Sequence, residues 1–395
     1  MLVVIASDKF KGSLTGAQVA DAVREGLGRQ IPNLRTRVVP VADGGEGTLA
    51  AALDAGFSAR ELTVAGPTGE PVRGSIGLRG EIAVVELATA SGLDLLPGGI
   101  KDARGATSYG TGELIVAALD ANAKEIILGV GGSACTDGGA GMLQALGVKL
   151  LDAQGNELPR GGGALSTLAR VDLNGLDSRL GHIKVILAAD VDNPLTGSNG
   201  AAAVFGPQKG ASAVDVEHLD AALANFAHVL GQCMGNALSE VDGAIAVAAH
   251  ARASGAGAAG GVGFAALAVL GATRQRGIEV VLELTGLAAA LEGADAVITG
   301  EGSLDRQSLE GKTPIGVAEL AATHGVPVYA ICGRTLLGAQ ELSAAGFSKV
   351  VALQELEPDL NRSMANAAAL ITDAAELLAP AILTNASFSA VTSAG

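Results

Sequence analysis

The sequence predicts an α/β protein in which a parallel-sheet domain, built from both ends of the chain, carries a second α/β domain inserted between them. Three observations predict this. The start of the chain, to about Asp54, alternates short apolar runs with helical patterns. From about Pro67 that rhythm gives way to closely spaced strand-like runs, and near Gly277 it resumes. Alternating strands and helices form layered α/β folds.

Leu2 to Ala6 is a short apolar run of the kind a buried parallel strand shows. Thr15-Gly-Ala-Gln18 is a capping box, and a helical pattern follows to Arg29. Arg35 to Ala42 reads as a second strand, and Asp43-Gly-Gly-Glu-Gly-Thr48 as a turn opening a helix to Asp54. Pro71 to Leu78 and Glu81 to Leu87 form a hairpin-rich piece. A helix from about Gly112, a strand at Glu125 to Val130 and a glycine turn come next, then a helix to Leu146 and a strand at Lys149. His182 to Ala189 is a buried strand, and Val214 to Met234 a long helix. Strands are expected at Ile278 to Glu283, Ala294 to Thr299, Val326 to Ile331 and Lys349 to Leu353. Helices are expected at Lys312 to His324 and Asn361 to Leu378, with a loose tail from Thr384 to Gly395. The opening segment holds too few strands for an open sheet. Pooling residues 1–68 with 285–395, around an insert of 69–284, supplies the rest.

Composition narrows the function. The 395 residues suit two or three domains, and a hydrophobic share of 49% argues against disorder. A net charge of −15 with 2% aromatics and no Trp removes both the basic footprint and the stacking platform that nucleic-acid binding needs. Three widely spaced cysteines fit neither a disulfide framework nor a zinc site, and point to a reducing, cytoplasmic setting. The N-terminal apolar run is too short for a secretory signal. Ala253 to Thr273 carries no charge and is long enough to span a membrane, but a glycine cluster fills its first half, so it reads as a loop and buried helix rather than a membrane span.

Open α/β sheets place ligands beyond the carboxyl ends of their strands. Five expected strand ends carry acids, amides, hydroxyls and glycines: Asp8-Lys9-Phe10-Lys11, Asp43 to Thr48, Gly131 to Gly139, Asp190 to Pro194, and Gly300 to Asp305. Each alone reads as ordinary turn chemistry; together they favour a site. Gly129 to Ala134 approaches a GxGxxG/A phosphate loop but lacks the rest of a dinucleotide fingerprint. Gly311-Lys312-Thr313 suggests a Walker A loop, yet Arg306 stands where its first glycine is required. Lys312 can still meet a phosphate from a helix start. Gly206 to Gly210 sets Lys209 between glycines, suited to an anionic substrate or simply to a surface turn. Acids for a metal, lysines and N–H groups for phosphate, and a carboxylate base suggest phosphoryl transfer.

The motifs VADGGEGT (41–48), GVGGSACTDGGAG (129–141), FGPQKGA (205–211), GAGAAGG (255–261) and ITGEGSLDRQSLEGKTPIGVA (298–318) resemble the bacterial glycerate kinase family of type I, over nearly the whole chain. The first loop departs from the family's usual pattern but keeps Asp8 and Lys11. The resemblance implies ATP-dependent phosphorylation of D-glycerate, usually on the 2-hydroxyl, with ATP and Mg²⁺. It also implies a Rossmann-like domain with an inserted second domain and a site in the cleft between them. No nucleic-acid or membrane partner is expected, and a homodimer is compatible with the sequence. For that chemistry we assign Asp190 as general base and Lys11 and Lys209 as catalytic cations. Asp8, Gly44, Gly45, Gly131, Gly132, Ser133, Gly138, Gly139, Asn193 and Lys312 are assigned to substrate and phosphates. Glu301 and Asp305, with Asp43 and Glu46 in reserve, are assigned to Mg²⁺. A nicotinamide-dependent oxidoreductase and a non-catalytic sugar-acid binding protein are the alternatives. Asp190→Asn and Lys209→Ala are each expected to lower kcat by at least ~10²-fold with the fold intact, measured by coupled ADP release.

Overall fold

The computed structural model describes residues 1–43, 47–235, 240–309 and 311–392. The chain divides into two compact units: Met1–Asp43 with Ile278–Gly395, and Gly44–Gly277. In chain order the strands are β1 (Leu2–Ile5), β2 (Arg35–Val38), β3 (Ser58–Ala65), β4 (Pro71–Arg79), β5 (Ile82–Glu86), β6 (Glu125–Gly129), β7 (Lys149–Leu151), β8 (Arg170–Asp172), β9 (Lys184–Ala188), β10 (Thr273–Gln275), β11 (Ala296–Leu304), β12 (Val328–Thr335) and β13 (Phe347–Ala352).

The first unit is a five-stranded sheet in the order β13-β12-β11-β1-β2, parallel throughout. Its side chains alternate strictly between two cores. Val3, Ile5, Ile298 and Ile331 face the helices Gly16–Gln30 and Ala367–Thr392. Val4, Ala6, Val297 and Ala330 face the opposite layer, with Ile278, Leu282, Ile315 and Val317. The Gly16–Gln30 helix starts on the expected capping box, with Thr15 accepting from the Gln18 N–H and the Gln18 side chain accepting from the Thr15 N–H. β1 therefore leads to a helix on one face, and the neighbouring β11 leads to the Thr313–Thr323 helix on the other. The two connections leave for opposite faces of the sheet, so the carboxyl ends of β1 and β11 form a switch point of the kind at which open α/β sheets leave a ligand crevice.

The second unit holds a six-stranded sheet in the order β10-β9-β6-β5-β4-β3, with a separate β7-β8 pair. β10, β9, β6 and β5 run parallel, and β4 and β3 add antiparallel to the edge. The Ala258–Ala268 helix is almost wholly buried in this unit's core, and its opening residues Ala259, Gly260 and Gly261 have positive φ.

Three expectations are corrected here. The divisions fall at 43/44 and 277/278 rather than 68/69 and 284/285, because β3 pairs with β4 along its whole length, from Ser58↔Leu78 to Ala65↔Pro71. β3 is an exposed edge strand, so no apolar run announces it. Ile278 to Glu283, expected as a strand, lies in the Gly277–Thr285 helix. Its β-branched residues suggested a strand, but the exposed Glu279 and Glu283 are four apart and Ile278, Val281 and Leu282 share the buried face. The expected loose tail continues as helix to Thr392: Asn385 donates to the Tyr329 hydroxyl at 2.7 Å, and Thr384 to the Pro380 carbonyl at 2.9 Å. This helix is long and apolar enough to cross a membrane over Ala367–Ala386, but one face, including Ile371, Leu378 and Ile382, is buried in the first unit's core.

Two glycines of one helix should respond with opposite sign. A Cβ on Gly26 would lie 2.1 Å from the Thr372 carbonyl oxygen, whereas nothing lies within 4 Å of one on Gly28. In thermal or urea melts, Gly26→Ala should destabilise by about 1–3 kcal/mol and Gly28→Ala should stabilise by about 0.5–1 kcal/mol.

Candidate active site

In the first unit the crevice is lined from both strands. The Asp8 N–H donates to the Gly300 carbonyl at 3.0 Å, tying the loop after β1 to β11. Only glycine fits at 300, since a Cβ there would lie 2.1 Å from the Ile331 carbonyl oxygen and 3.0 Å from Ser7 Oγ. Asp8 Oδ1 accepts from the Lys9 N–H at 2.6 Å, and Oδ2 from Thr313 Oγ1 at 3.4 Å. Burial pushes the Asp8 carboxyl up to about 6; the Lys9 N–H opposes this and the charge of Asp43 adds to it.

Glu301, half-buried, is pushed further, to about 7, again chiefly by burial. The Ser308 hydroxyl and the Lys312 charge draw it down, while Asp8 and Asp305 push it up. Its Oε1 is buried with no hydrogen-bond partner. Asp305 Oδ1 accepts from the Gln307 and Ser308 N–H groups at 2.9 and 3.3 Å, so that oxygen is engaged in a local turn. Lys312 is the N-cap residue of the Thr313–Thr323 helix. Lys11 is exposed on the turn closed by Phe10 and Leu14, and a Cβ on Gly302 would lie 3.8 Å from its backbone nitrogen. Of the residues predicted from sequence, this unit thus brings together Asp8, Glu301, Asp305, Lys312 and Asp43.

Gly44, Gly45 and Glu46 lie outside the described residues. A residue not singled out from the sequence is Glu86 in the second unit, 5% exposed at the end of β5. Its carboxylate accepts from the Gly47 N–H at 3.1 Å and the Leu49 N–H at 2.8 Å. A carboxylate therefore already neutralises the start of the Thr48–Asp54 helix. A single acid ending the apolar run IAVVE was the available signal.

In the second unit the carboxyl ends of β5, β6 and β9 adjoin. After β6 the loop runs over Gly131, Gly132 (exposed, φ +69°) and the buried Ser133. It is pinned by Leu93 N–H to the Gly132 carbonyl at 2.9 Å and Ala134 N–H to the Ser91 carbonyl at 2.8 Å. Gly138 and Gly139 do not offer N–H groups to a phosphate, which corrects their assignment. The Gly138 N–H donates to the Gly260 carbonyl at 2.9 Å, and the Gly139 N–H to Asp137 Oδ1 at 3.1 Å. Their missing side chains admit neighbours: a Cβ would meet Phe226 at 2.9 Å from Gly138 and Ala265 at 2.5 Å from Gly139. Asp137 is fully buried and also accepts from the Ser108 N–H and hydroxyl at 2.8 and 2.9 Å. It is a loop anchor.

Lys209, expected as a catalytic cation on a tight turn, is a buried one. It is 1% exposed, and its Nζ donates to Ser133 Oγ at 2.8 Å and to the Cys135 carbonyl at 2.5 Å. Burial lowers its pKa, against the charge of Asp137. Lys209→Ala also removes buried hydrogen bonds, so a lower melting temperature is expected beside any loss of activity. Asp190, after β9, is exposed, and its Oδ1 accepts from the Gly277 N–H at 2.8 Å. Asn193 donates from Nδ2 to the Asn199 carbonyl at 2.8 Å, shaping its own loop. Nearby, Arg274 pairs with Asp192 at 2.8 Å, a pair the sequence reading did not single out.

Among the described residues, no three His, Cys, Asp or Glu side chains converge as a preformed metal site. Magnesium commonly takes only one or two protein carboxylates, completing its shell with water and phosphate oxygens. The orphaned Glu301 Oε1, on a carboxyl raised by burial and by the charge of Asp8, fits such a cation.

A parallel sheet with polar, acid-rich loops at its switch point defines a ligand-binding α/β protein, most readily one that handles phosphate. The chain belongs to the Glycerate kinase family, whose model matches residues 3–383. It is 48% identical to a glycerate kinase of Bacillus subtilis over 84% of this chain and 85% of that one. It is 46% identical to the glycerate 2-kinase of Escherichia coli, again over 84% and 85%. The crystal structure of a protein described as a glycerate kinase 2, from Salmonella typhimurium LT2, superposes with a TM-score of 0.82 at 42% identity, covering 97% of this chain and 98% of that one.

The raised carboxyl of Glu301 has a sign that can be tested. Its pKa rises from an ordinary 4.5 to about 7 on folding, so the folded state holds the extra proton between those values. Its contribution is fully present below pH 4.5 and is lost as pH climbs through about 7. Glu301→Gln should melt close to wild type at pH 4 and above it at pH 8, in about the same buffer ionic strength; an unchanged difference across that range would contradict the burial of this charge.

Proposed function

We propose that this chain transfers the γ-phosphoryl group of ATP to the 2-hydroxyl of D-glycerate, giving 2-phospho-D-glycerate and ADP. Membership of the glycerate kinase family supports the substrate and the reaction class. The observation that carries the chemistry is the Asp8–Glu301 pair at the β1/β11 switch point: two carboxyls raised by burial, one with an orphaned oxygen, beside Lys312. Such a pair suits a divalent cation, and Mg²⁺ bound there would neutralise charge on the phosphates. Asp8 and Glu301 would hold it, with Asp43 close enough to Asp8 to raise its carboxyl and Asp305 acting likewise on Glu301.

Lys11 and Lys312 supply positive charge for phosphate oxygens. Gly131, Gly132 and Ser133 offer donors to a substrate oxygen. Asp190 takes the proton from the glycerate hydroxyl as its oxygen bonds to phosphorus and the bond from the γ-phosphorus to the bridging oxygen of ADP breaks. The hydrogen bond from the Gly277 N–H fixes one oxygen of that carboxylate and so its orientation. Three cysteines with no disulfide among the described residues support a cytosolic setting.

Phosphorus and proton NMR of the product from D-glycerate and Mg·ATP tests the proposal. The expected product is the 2-phosphate, formed in step with ADP. A 3-phosphate would overturn the regiochemistry, and no transfer to glycerate would overturn the activity.

A further inference from the structure

We propose that Lys209 is a positioning residue that acts through Ser133, setting the direction in which the serine hydroxyl donates so that the loop after β6 presents an O–H to an anionic substrate oxygen. The inference rests on the reading above that this loop meets substrate.

Lys209 closes a short turn, Pro207–Lys209, and is buried to 1% exposure. Its ammonium lies 2.8 Å from Ser133 Oγ and 2.5 Å from the Cys135 carbonyl oxygen. An ammonium has three donors and no acceptor. Ser133 Oγ can therefore only accept from it, and the serine's own proton must point elsewhere. Among the described residues Lys209 is the one partner of that hydroxyl. The backbone at this residue is held, because Gly132 and Ala134 on either side are pinned to Leu93 and Ser91 and Ser133 itself bridges to Gly92.

Stability does not explain a lysine here. Burying an ammonium against two uncharged oxygens costs more than packing an apolar chain of similar length. The nearby carboxylate of Asp137 offsets part of that cost, but its own hydrogen bonds go to the Ser108 and glycine donors and not to Lys209. What the charge does is polarise a hydroxyl in a glycine loop whose exposed residue, Gly132, has no side chain to cover it. A hydroxyl held as donor beside a buried positive charge recognises an anionic oxygen, whether the carboxylate of the hydroxy acid or a phosphate of the nucleotide.

The test is steady-state kinetics on the full chain for Ser133→Ala, Ser133→Thr, Lys209→Met, the Ser133→Ala/Lys209→Met double variant and Gly132→Val, each with a melting curve. Ser133→Ala should raise one KM about 10- to 100-fold: the KM for D-glycerate if the oxygen is a carboxylate, that for Mg·ATP if it is a phosphate. Lys209→Met should raise the same KM by a similar factor, the double variant should be no worse than either single one, and Ser133→Thr should return to within about twofold of wild type. An undiminished effect of Lys209→Met in the Ser133→Ala background, or wild-type KM values in Ser133→Ala, would overturn the proposal. If Lys209→Met does not fold, equal KM values for Ser133→Ala and Ser133→Thr overturn it alone. Gly132→Val separates the two readings. Wild-type KM values there would sink the role of the loop itself, whereas raised values with additive Ser133 and Lys209 effects would sink only their coupling.

Discussion

In the first unit, the chain leaves β1 toward one face of the sheet and β11 toward the other, and everything proposed for that unit's chemistry depends on the gap this opens. Two adjacent parallel strands with diverging connections cannot close over their own carboxyl ends. The Asp8 N–H and the Gly300 carbonyl hold the two loops together at the base of the gap. Above that bond stand carboxyls that burial has made reluctant to ionise, Asp8 near 6 and Glu301 near 7. Acids in that condition are poised for a cation, since a positive charge supplies what the missing water no longer does.

The second unit solves a different problem, how to keep a glycine-rich loop rigid. Glycine brings backbone freedom, and freedom weakens a binding loop. Here the loop after β6 is held from several sides at once. Asp137 gathers N–H and hydroxyl donors beneath it, and Lys209 enters from the turn after the Ala201–Phe205 helix. The GAGAAGG segment supports it from the remaining side: a Cβ on Gly260 would lie 2.1 Å from the Cys135 carbonyl oxygen. Two of the glycines that read as phosphate ligands in the sequence, Gly138 and Gly139, are therefore points of close approach by neighbouring segments.

This difference accounts for what was legible beforehand. The capping box at Thr15, the apolar strand β1 and the glycine turn after β6 are local patterns, and each formed where its residues predicted. Asp8 and Glu301 were visible as acids at strand ends. Glu86 was not, because it serves the start of a helix that precedes its own strand in sequence. β3 escaped notice because an edge strand has little to bury, and the 278–283 segment misled because β-branched residues also serve a helix when the core lies along one face.

By itself, the sequence determined the α/β class, the family and the inventory of acids, lysines and glycines at strand ends, since alternation, capping and motif spacing are properties of neighbouring residues. Only the tertiary structure decided which of those groups keep their donors and charges for a ligand. Lys209 and Gly138 looked as available as Lys11 and Gly132, yet their hydrogen bonds go to partners many residues away, and the Gly139 N–H goes to Asp137, which the distant Ser108 holds in place. Burial and long-range pairing depend on how distant segments pack, and no local pattern encodes that.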